Sequence, residues 1–231
     1  NIITMDNISM YETLLGLPLF AGVSRQKISE VAGKNKLHFL KYAPDEQIIT
    51  AGELCTHIKS IIAGSVRVTI ESEDNRFKVS QTLSAPDIIA PDFFFGKTTN
   101  YPASVKAIDT VGILQIDKND FLNIINSDPI FLFNYLNILS MNAQLSVEGV
   151  LALTSGSLEK RIAYWIVALT QSNGQDIVLQ CRQRDMYTVF GVPRQSLICA
   201  LDNMKSSGII DYTAQEIQVL QRRELMNILM A

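Results

Sequence analysis

The chain is read as an α+β protein: an N-terminal β-roll with flanking helices, a long helix, and a C-terminal winged helix-turn-helix. Three observations predict this. From Leu37 to Ile116 the apolar residues recur with period two, as in half-buried strands. From Pro129 to about Leu153 the period is helical without a break. Around Gly191 two short helical patterns flank a single turn residue, and two short strand patterns follow.

Composition sets the outer limits. A chain of 231 residues with 47% apolar content has the length for two cored domains. No apolar run approaches the roughly 18 residues that a membrane helix needs, and no basic-then-apolar leader opens the sequence, so a cytoplasmic location without membrane contact is expected. Cys55, Cys181 and Cys199 are odd in number and widely spaced. They suit a reducing compartment and give neither a CxxC metal spacing nor the four thiolates of an iron–sulfur cluster. No metal site is expected. The net charge is −3, but it is uneven: residues 155–231 hold eight basic and seven acidic side chains, and the remainder 12 and 16. Any nucleic-acid binding must therefore rest on placed arginines rather than a broad basic field.

Taken in order, Met10 to Leu17 and Arg25 to Ala32 read as helices, with Ser24 as an N-cap. In the strand region, Val66, Val68 and Ile70 alternate with Arg67 and Thr69. Gly52, Gly64 and Asp74-Asn75 mark turns. Short strands at this spacing predict a roll or barrel. Asp117 to Ile125 reads as a short helix. On the long helix, Leu132, Leu136, Leu139, Ala143, Val147 and Val150 recur at spacings of 4, 3, 4, 4 and 3, the seam of a two-stranded pairing. Tyr135, Ile138, Leu145 and Leu151 lie off that seam, so one face can cover the roll while the other meets a second copy. Ser155-Gly156-Ser157 is a hinge and N-cap. Leu158 to Thr170 is the next helix, with Ile162, Trp165, Ile166 and Leu169 inward, and Ser172-Asn173-Gly174 ends it. The expected domains are 1–127 (roll), 128–154 (dimerisation helix) and 155–231 (winged helix).

The organising stretch is Cys181 to Ile210. Arg182 to Phe190 reads as a helix with Met186, Val189 and Phe190 as its apolar face. Gly191 supplies the positive φ of a tight turn, and Pro193 falls just inside the following helix. Leu197, Leu201 and Met204 face the core, leaving Arg194, Gln195, Ile198 and Cys199 outward. In a helix-turn-helix the second helix enters the DNA major groove. Gly208-Ile209-Ile210 and Glu216 to Val219 are the strands of the wing.

Gly191, Arg194, Leu201, Met204, Gly208, Ile209 and Ile210, in that order and spacing, resemble the DNA-binding domain of the Crp/Fnr family of bacterial transcription regulators. Ile48 to Glu53 and Ile61 to Val68 resemble that family's cyclic-nucleotide-binding domain. The resemblance implies a homodimer on double-stranded DNA with a palindromic operator, working with RNA polymerase. It implies DNA contacts from Arg194, Gln195, Ser196 and Cys199, with Arg182, Thr188 and Lys205 alongside. Tyr187 stands where the family usually has a small residue. In cyclic-AMP-binding members a glycine and carboxylate hold the ribose, and an arginine and serine hold the phosphate. Here Pro91 stands at the carboxylate position, Tyr101 at the arginine and Pro102 at the serine. A cyclic phosphate needs a fixed cation or convergent N–H donors, so cyclic AMP is not expected.

Phe93, Phe94 and Phe95 suggest either an apolar cavity or one closed by its own side chains. Phe93, Phe94, Tyr101 and Ser146 are the candidate effector-pocket residues. Haem is an alternative effector, sensing nitric oxide, carbon monoxide or redox state, with His38, His57, Met141 and Cys55 as candidate ligands. Enzyme readings lack residues: His38 and His57 are too far apart in sequence for a cupin metal site, and no phosphate loop or triad spacing is present. A rival of another class is a ligand-binding or scaffold protein with a vestigial winged helix.

Overall fold

A computed structural model describes residues 7–152 and 156–230. The expected end of the long helix at Leu153 and Ser155 of the hinge lie outside these. Among the described residues no helix is long and apolar enough to cross a membrane. The chain divides into two compact units, one of residues 1–68 and 83–141, the other of residues 69–82 and 142–231. The division differs from the expected three domains in two respects: the long helix is not a unit of its own but is divided between residues 141 and 142, and residues 69–82, the tip of a hairpin in the strand region, group with the C-terminal unit.

In the first unit, α1 (Asn7–Gly16) and α2 (Arg25–Lys34) precede an antiparallel β-roll. Ser24 caps α2 as expected, its side chain accepting from the Lys27 N–H. One sheet has the order β1 (His38–Tyr42), β8 (Val111–Asp117), β3 (His57–Ala63), β6 (Asp87–Ile89). The other strands of this unit are β2 (Gln47–Ile49), β7 (Ser104–Ala107) and the first part of β4 (Ser65–Glu71). The period-two pattern has its physical cause in β4: Val66 and Val68 are buried and Arg67 and Thr69 only half so. Gly64 has φ +76°, and a Cβ there would lie 2.5 Å from the Thr110 carbonyl oxygen, so no other residue fits that turn. After the roll, Asp117 accepts from the Asn119 and Asp120 N–H groups and caps α3 (Lys118–Ser127).

Helix α4 (Pro129–Ala152) carries two apolar faces. Within the first unit, Phe131 and Tyr135 are buried, Phe131 meets Phe20 edge-to-face at 5.4 Å, and the Asn134 amide donates to the carbonyls of Leu19 and Ala21. The other face is open. Leu132, Leu136, Ala143, Val147 and Val150 are exposed and Leu139 is half-buried.

The second unit holds α5 (Leu158–Ala168), β9 (Gln175–Cys181), α6 (Gln183–Phe190), α7 (Arg194–Ser206), β10 (Ile210–Tyr212), β11 (Glu216–Val219) and α8 (Arg222–Met230). Strand β9 and helix α8 are additions to the sequence reading. Strand β11 pairs with β10 on one side and β9 on the other, and residues 77–82 of β5 (Phe77–Ser84) pair with the far edge of β9. The core gathers Ile162, Ile166, Phe190, Leu197, Leu201 and Ile217, with Trp165 edge-on to both Phe77 and Phe190. Ser157 caps α5, as its position after the hinge predicts. Helix α8 docks on α5 through Leu225, and Arg222 donates to the Thr170 hydroxyl and Gln171 carbonyl at the end of α5. One expectation is corrected here. Val189 is half exposed rather than inward, because a helix of eight residues has room for only Met186 and Phe190 fully on its core side, with Tyr187 beside them.

Candidate nucleic-acid interface

The pair α6–α7 is built around Gly191, which takes φ +62° and closes α6 with its N–H bonded to the Thr188 carbonyl. Arg161 donates to the Phe190 carbonyl and stacks on the Phe190 ring at 5.5 Å, so a cation holds the C-terminal end of α6. Pro193 is the N-cap of α7 rather than its first helical residue; its carbonyl accepts from Ser196 and Leu197. Arg194 therefore opens the helix. Leu197, Ala200, Leu201 and Met204 are buried. At about 100° per residue, Gln195, Cys199 and Asp202 lie opposite them, with Arg194 and Ser196 on the two flanks. All five are exposed.

The remaining predicted contacts are engaged within the protein. The Arg182 guanidinium, exposed at the N-cap of α6, pairs with Asp185 at 2.8 Å. Thr188 is exposed and donates back to the Arg184 carbonyl. Lys205 pairs with Asp211 at 2.6 Å and sits over the Tyr212 ring at 5.6 Å, at the junction of α7 with the wing. Asp202, not singled out from the sequence, accepts from the Tyr212 hydroxyl at 2.6 Å. It puts a carboxylate on the outward face of α7, and that hydrogen bond pushes the Tyr212 phenol up to about 12. Tyr187 packs half-buried against the core, so the larger residue is accommodated.

The roll carries the second candidate site. Ala90 adopts the left-handed conformation (φ 45°, ψ 53°) that a glycine would take without cost, and Pro91 follows it. The Pro91 carbonyl accepts from the Tyr135 hydroxyl at 3.0 Å. Phe94 is fully buried, edge-on to Phe121 at 5.3 Å and Phe95 at 4.8 Å, and Phe121 meets Tyr135 at 5.0 Å. Phe93 is half-buried. Of the two possibilities for the phenylalanines, self-filling describes Phe94. Tyr101 is buried and donates to the His57 carbonyl, and burial pushes its phenol far up. Ser146 lies in the other unit, exposed, with its hydroxyl on the Asn142 carbonyl.

The cation beside Tyr101 is neither of the two nearest in sequence. Lys97 is exposed, and Lys106 is exposed and paired with Asp45. Instead Lys59 of β3 lies 5.5 Å from the Tyr101 ring centre, with burial lowering its pKa. Of the candidate haem ligands, Met141 is exposed on α4. Cys55 is buried with its thiol towards the His57 carbonyl, and burial raises its pKa, away from the thiolate that iron takes. Neither fits as an axial partner for His38 or His57.

Comparison with known proteins bears on both sites. The family model described as "Cyclic nucleotide-binding domain" matches residues 39–128. The cAMP-activated global transcriptional regulators CRP of Salmonella typhimurium and Pasteurella multocida are 22% and 23% identical over 193 residues, covering 80% of this chain and 91% of theirs. Among solved structures, the Catabolite Activator Protein of Thermus thermophilus aligns with 92% of this chain and 98% of its own, at 17% identity and TM-score 0.48. A mutant of CooA from Carboxydothermus hydrogenoformans aligns with 98% of this chain and 97% of its own, at 18% identity and TM-score 0.49. The roll thus matches a cyclic-nucleotide-binding domain, and along most of its length the chain is similar to transcriptional regulators of the Crp/Fnr type.

Proposed function

We propose that the chain is a homodimeric, sequence-specific DNA-binding transcription regulator whose activity is set by a small effector other than cyclic AMP. The observation that carries the DNA reading is the start of α7. Arg194 is exposed in the first turn, where a guanidinium reaches guanine O6 and N7 in two parallel bonds, and Gln195 beside it suits an adenine edge. The CRP relatives are transcriptional regulators, in line with that reading. Homodimerisation is supported by the open apolar stripe Leu132, Leu136, Leu139, Ala143, Val147 and Val150 on α4, whose opposite face already covers the roll. A two-fold dimer reads two half-sites, so the operator is palindromic, and regulation acts on RNA polymerase bound beside it.

The effector reading rests on Pro91 and Tyr101. Both are buried and uncharged, and Tyr135 occupies the Pro91 carbonyl. A cyclic phosphate placed there would keep a full negative charge at low dielectric without a guanidinium. Effector binding shifts the dimer between arrangements that differ in DNA affinity.

Genomic fragments selected by the purified protein provide the test. Arg194→Ala is expected to cost about 1–3 kcal/mol on the selected site and to relax preference at one G·C pair. Weakening that is uniform over all sequences would reassign Arg194 to a phosphate. No selection by the wild-type protein would favour the scaffold reading.

A further inference from the structure

The hairpin tip, residues 69–82, belongs to the same compact unit as the winged helix. Its strand β5 runs antiparallel to β9, with Val79 opposite Leu179, Lys78 opposite Gln180 and Phe77 opposite Cys181. The ladder ends at Phe77 and Cys181, and the next residues, Arg76 and Arg182, both line the cleft beyond it. Here both guanidiniums stay exposed, and each is balanced from its own element: Arg76 by Asp74 at 2.6 Å, Arg182 by Asp185 at 2.8 Å. Lys78, next along β5, pairs back to Glu71 of β4 at 2.5 Å. These three cations line a cleft of about 470 Å³ beside the first turn of α6, together with Gln180, Gln215 and the carboxylates of Glu71 and Asp74 that pair with Lys78 and Arg76.

We propose that this cleft is a clamp for a DNA backbone phosphate, with Arg76 and Lys78 of the hairpin and Arg182 of α6 as its donors. The proposal rests on the DNA reading above. In a helix-turn-helix the first helix crosses the backbone while the second enters the groove, and Arg182 is the residue from which that first helix starts. Exposed ion pairs contribute little, so exchanging a carboxylate for a phosphate oxygen costs little. A guanidinium pair matches the fork geometry of a phosphate, and the glutamine amides add neutral donors. The hairpin would thus give a chain with a net charge of −3 cationic contacts that its winged-helix sequence lacks.

The experiment measures affinity of the full chain for its selected site by fluorescence anisotropy between about 50 and 200 mM salt. Each lost phosphate contact makes the log–log slope shallower by about 0.9, and a dimer loses two contacts per substituted residue. Arg76→Ala is therefore expected to reduce the affinity loss over that range about tenfold. Base preference and unfolding midpoint should be unchanged, and Arg76→Lys should restore the slope. An unchanged slope in Arg76→Ala and Lys78→Ala, with tight binding by the wild type, overturns the clamp and leaves the DNA reading standing. Absence of site-specific binding by the wild type overturns the DNA reading, and the clamp with it. Inorganic phosphate, titrated calorimetrically, separates the source. Binding that depends on Arg76 while the DNA slope does not would make the cleft a small-anion site and also overturn the clamp.

Discussion

Ala143→Glu isolates assembly from folding. Ala143 is exposed on α4, between Leu139 and Val147 along the open stripe, so a glutamate there meets water in a single chain. Such surface changes stay within about 0.5 kcal/mol of wild-type stability. In a dimer closed along this stripe the same residue faces its own copy among Leu132, Leu136, Val147 and Val150. Of these, Leu136 is 49% exposed, Val147 59% and Val150 66% in one chain. Removing that much apolar surface from water, at about 25 cal/mol per Å², is the driving force for pairing. Two unpaired carboxylates placed in the seam should cost about 3–5 kcal/mol, or roughly two to four decades in dissociation constant. Sedimentation velocity over a concentration series reads this directly: dimer for the wild type at micromolar concentration, monomer for the variant. Urea unfolding of the variant monomer serves as the control. A variant that still sediments as the dimer would falsify the seam, and so would a wild type that stays monomeric throughout.

Three further outcomes are expected. Ala90→Gly should raise stability to urea by about 1 kcal/mol, because the left-handed backbone at φ 45° penalises a Cβ; equal or lower stability would mean that the alanine methyl contributes more than the strain removes. His57 is held neutral by burial and by the neighbouring Lys59, which lower its pKa from 6.5. Its contribution is therefore present above that value and lost as pH falls through the folded pKa. Stability should decline on acidification from pH 7 towards 5, less steeply in His57→Gln, and identical profiles for the two proteins would remove the assignment. Cyclic AMP and cyclic GMP should bind more weakly than about 1 mM in calorimetry, and a micromolar constant at one site per protomer would show that the roll holds a cyclic phosphate without the guanidinium.

The sequence by itself determined the features written in local chemistry. Ser24 and Ser157 could be named as caps, because a hydroxyl preceding a helical pattern satisfies N–H groups only a few residues away. Gly191 could be named as the turn, because its positive φ is a property of one residue. Period two in β4 and the stripe on α4 follow from which side chains must leave water, and both faces of α4 were legible from Tyr135 lying off the seam. The outward side chains at the start of α7 followed in the same way from Leu197, Leu201 and Met204 facing inward.

Tertiary structure decided what depends on partners far along the chain. Nothing local to Tyr135 announces a hydrogen bond to Pro91, nor anything local to Tyr101 that Lys59, 42 residues earlier in the numbering, is the cation at its ring. The two cations nearest in sequence, Lys97 in its loop and Lys106 on its strand, are exposed. Val189 looked apolar and inward, yet on so short a helix the core reaches only one side. Strand β9 and the pairing of residues 77–82 with 175–181 emerge only in three dimensions, since a strand edge accepts any extended segment with compatible faces. That pairing joins residues about a hundred positions apart, and it brings Arg76 and Arg182 to the lining of one cleft.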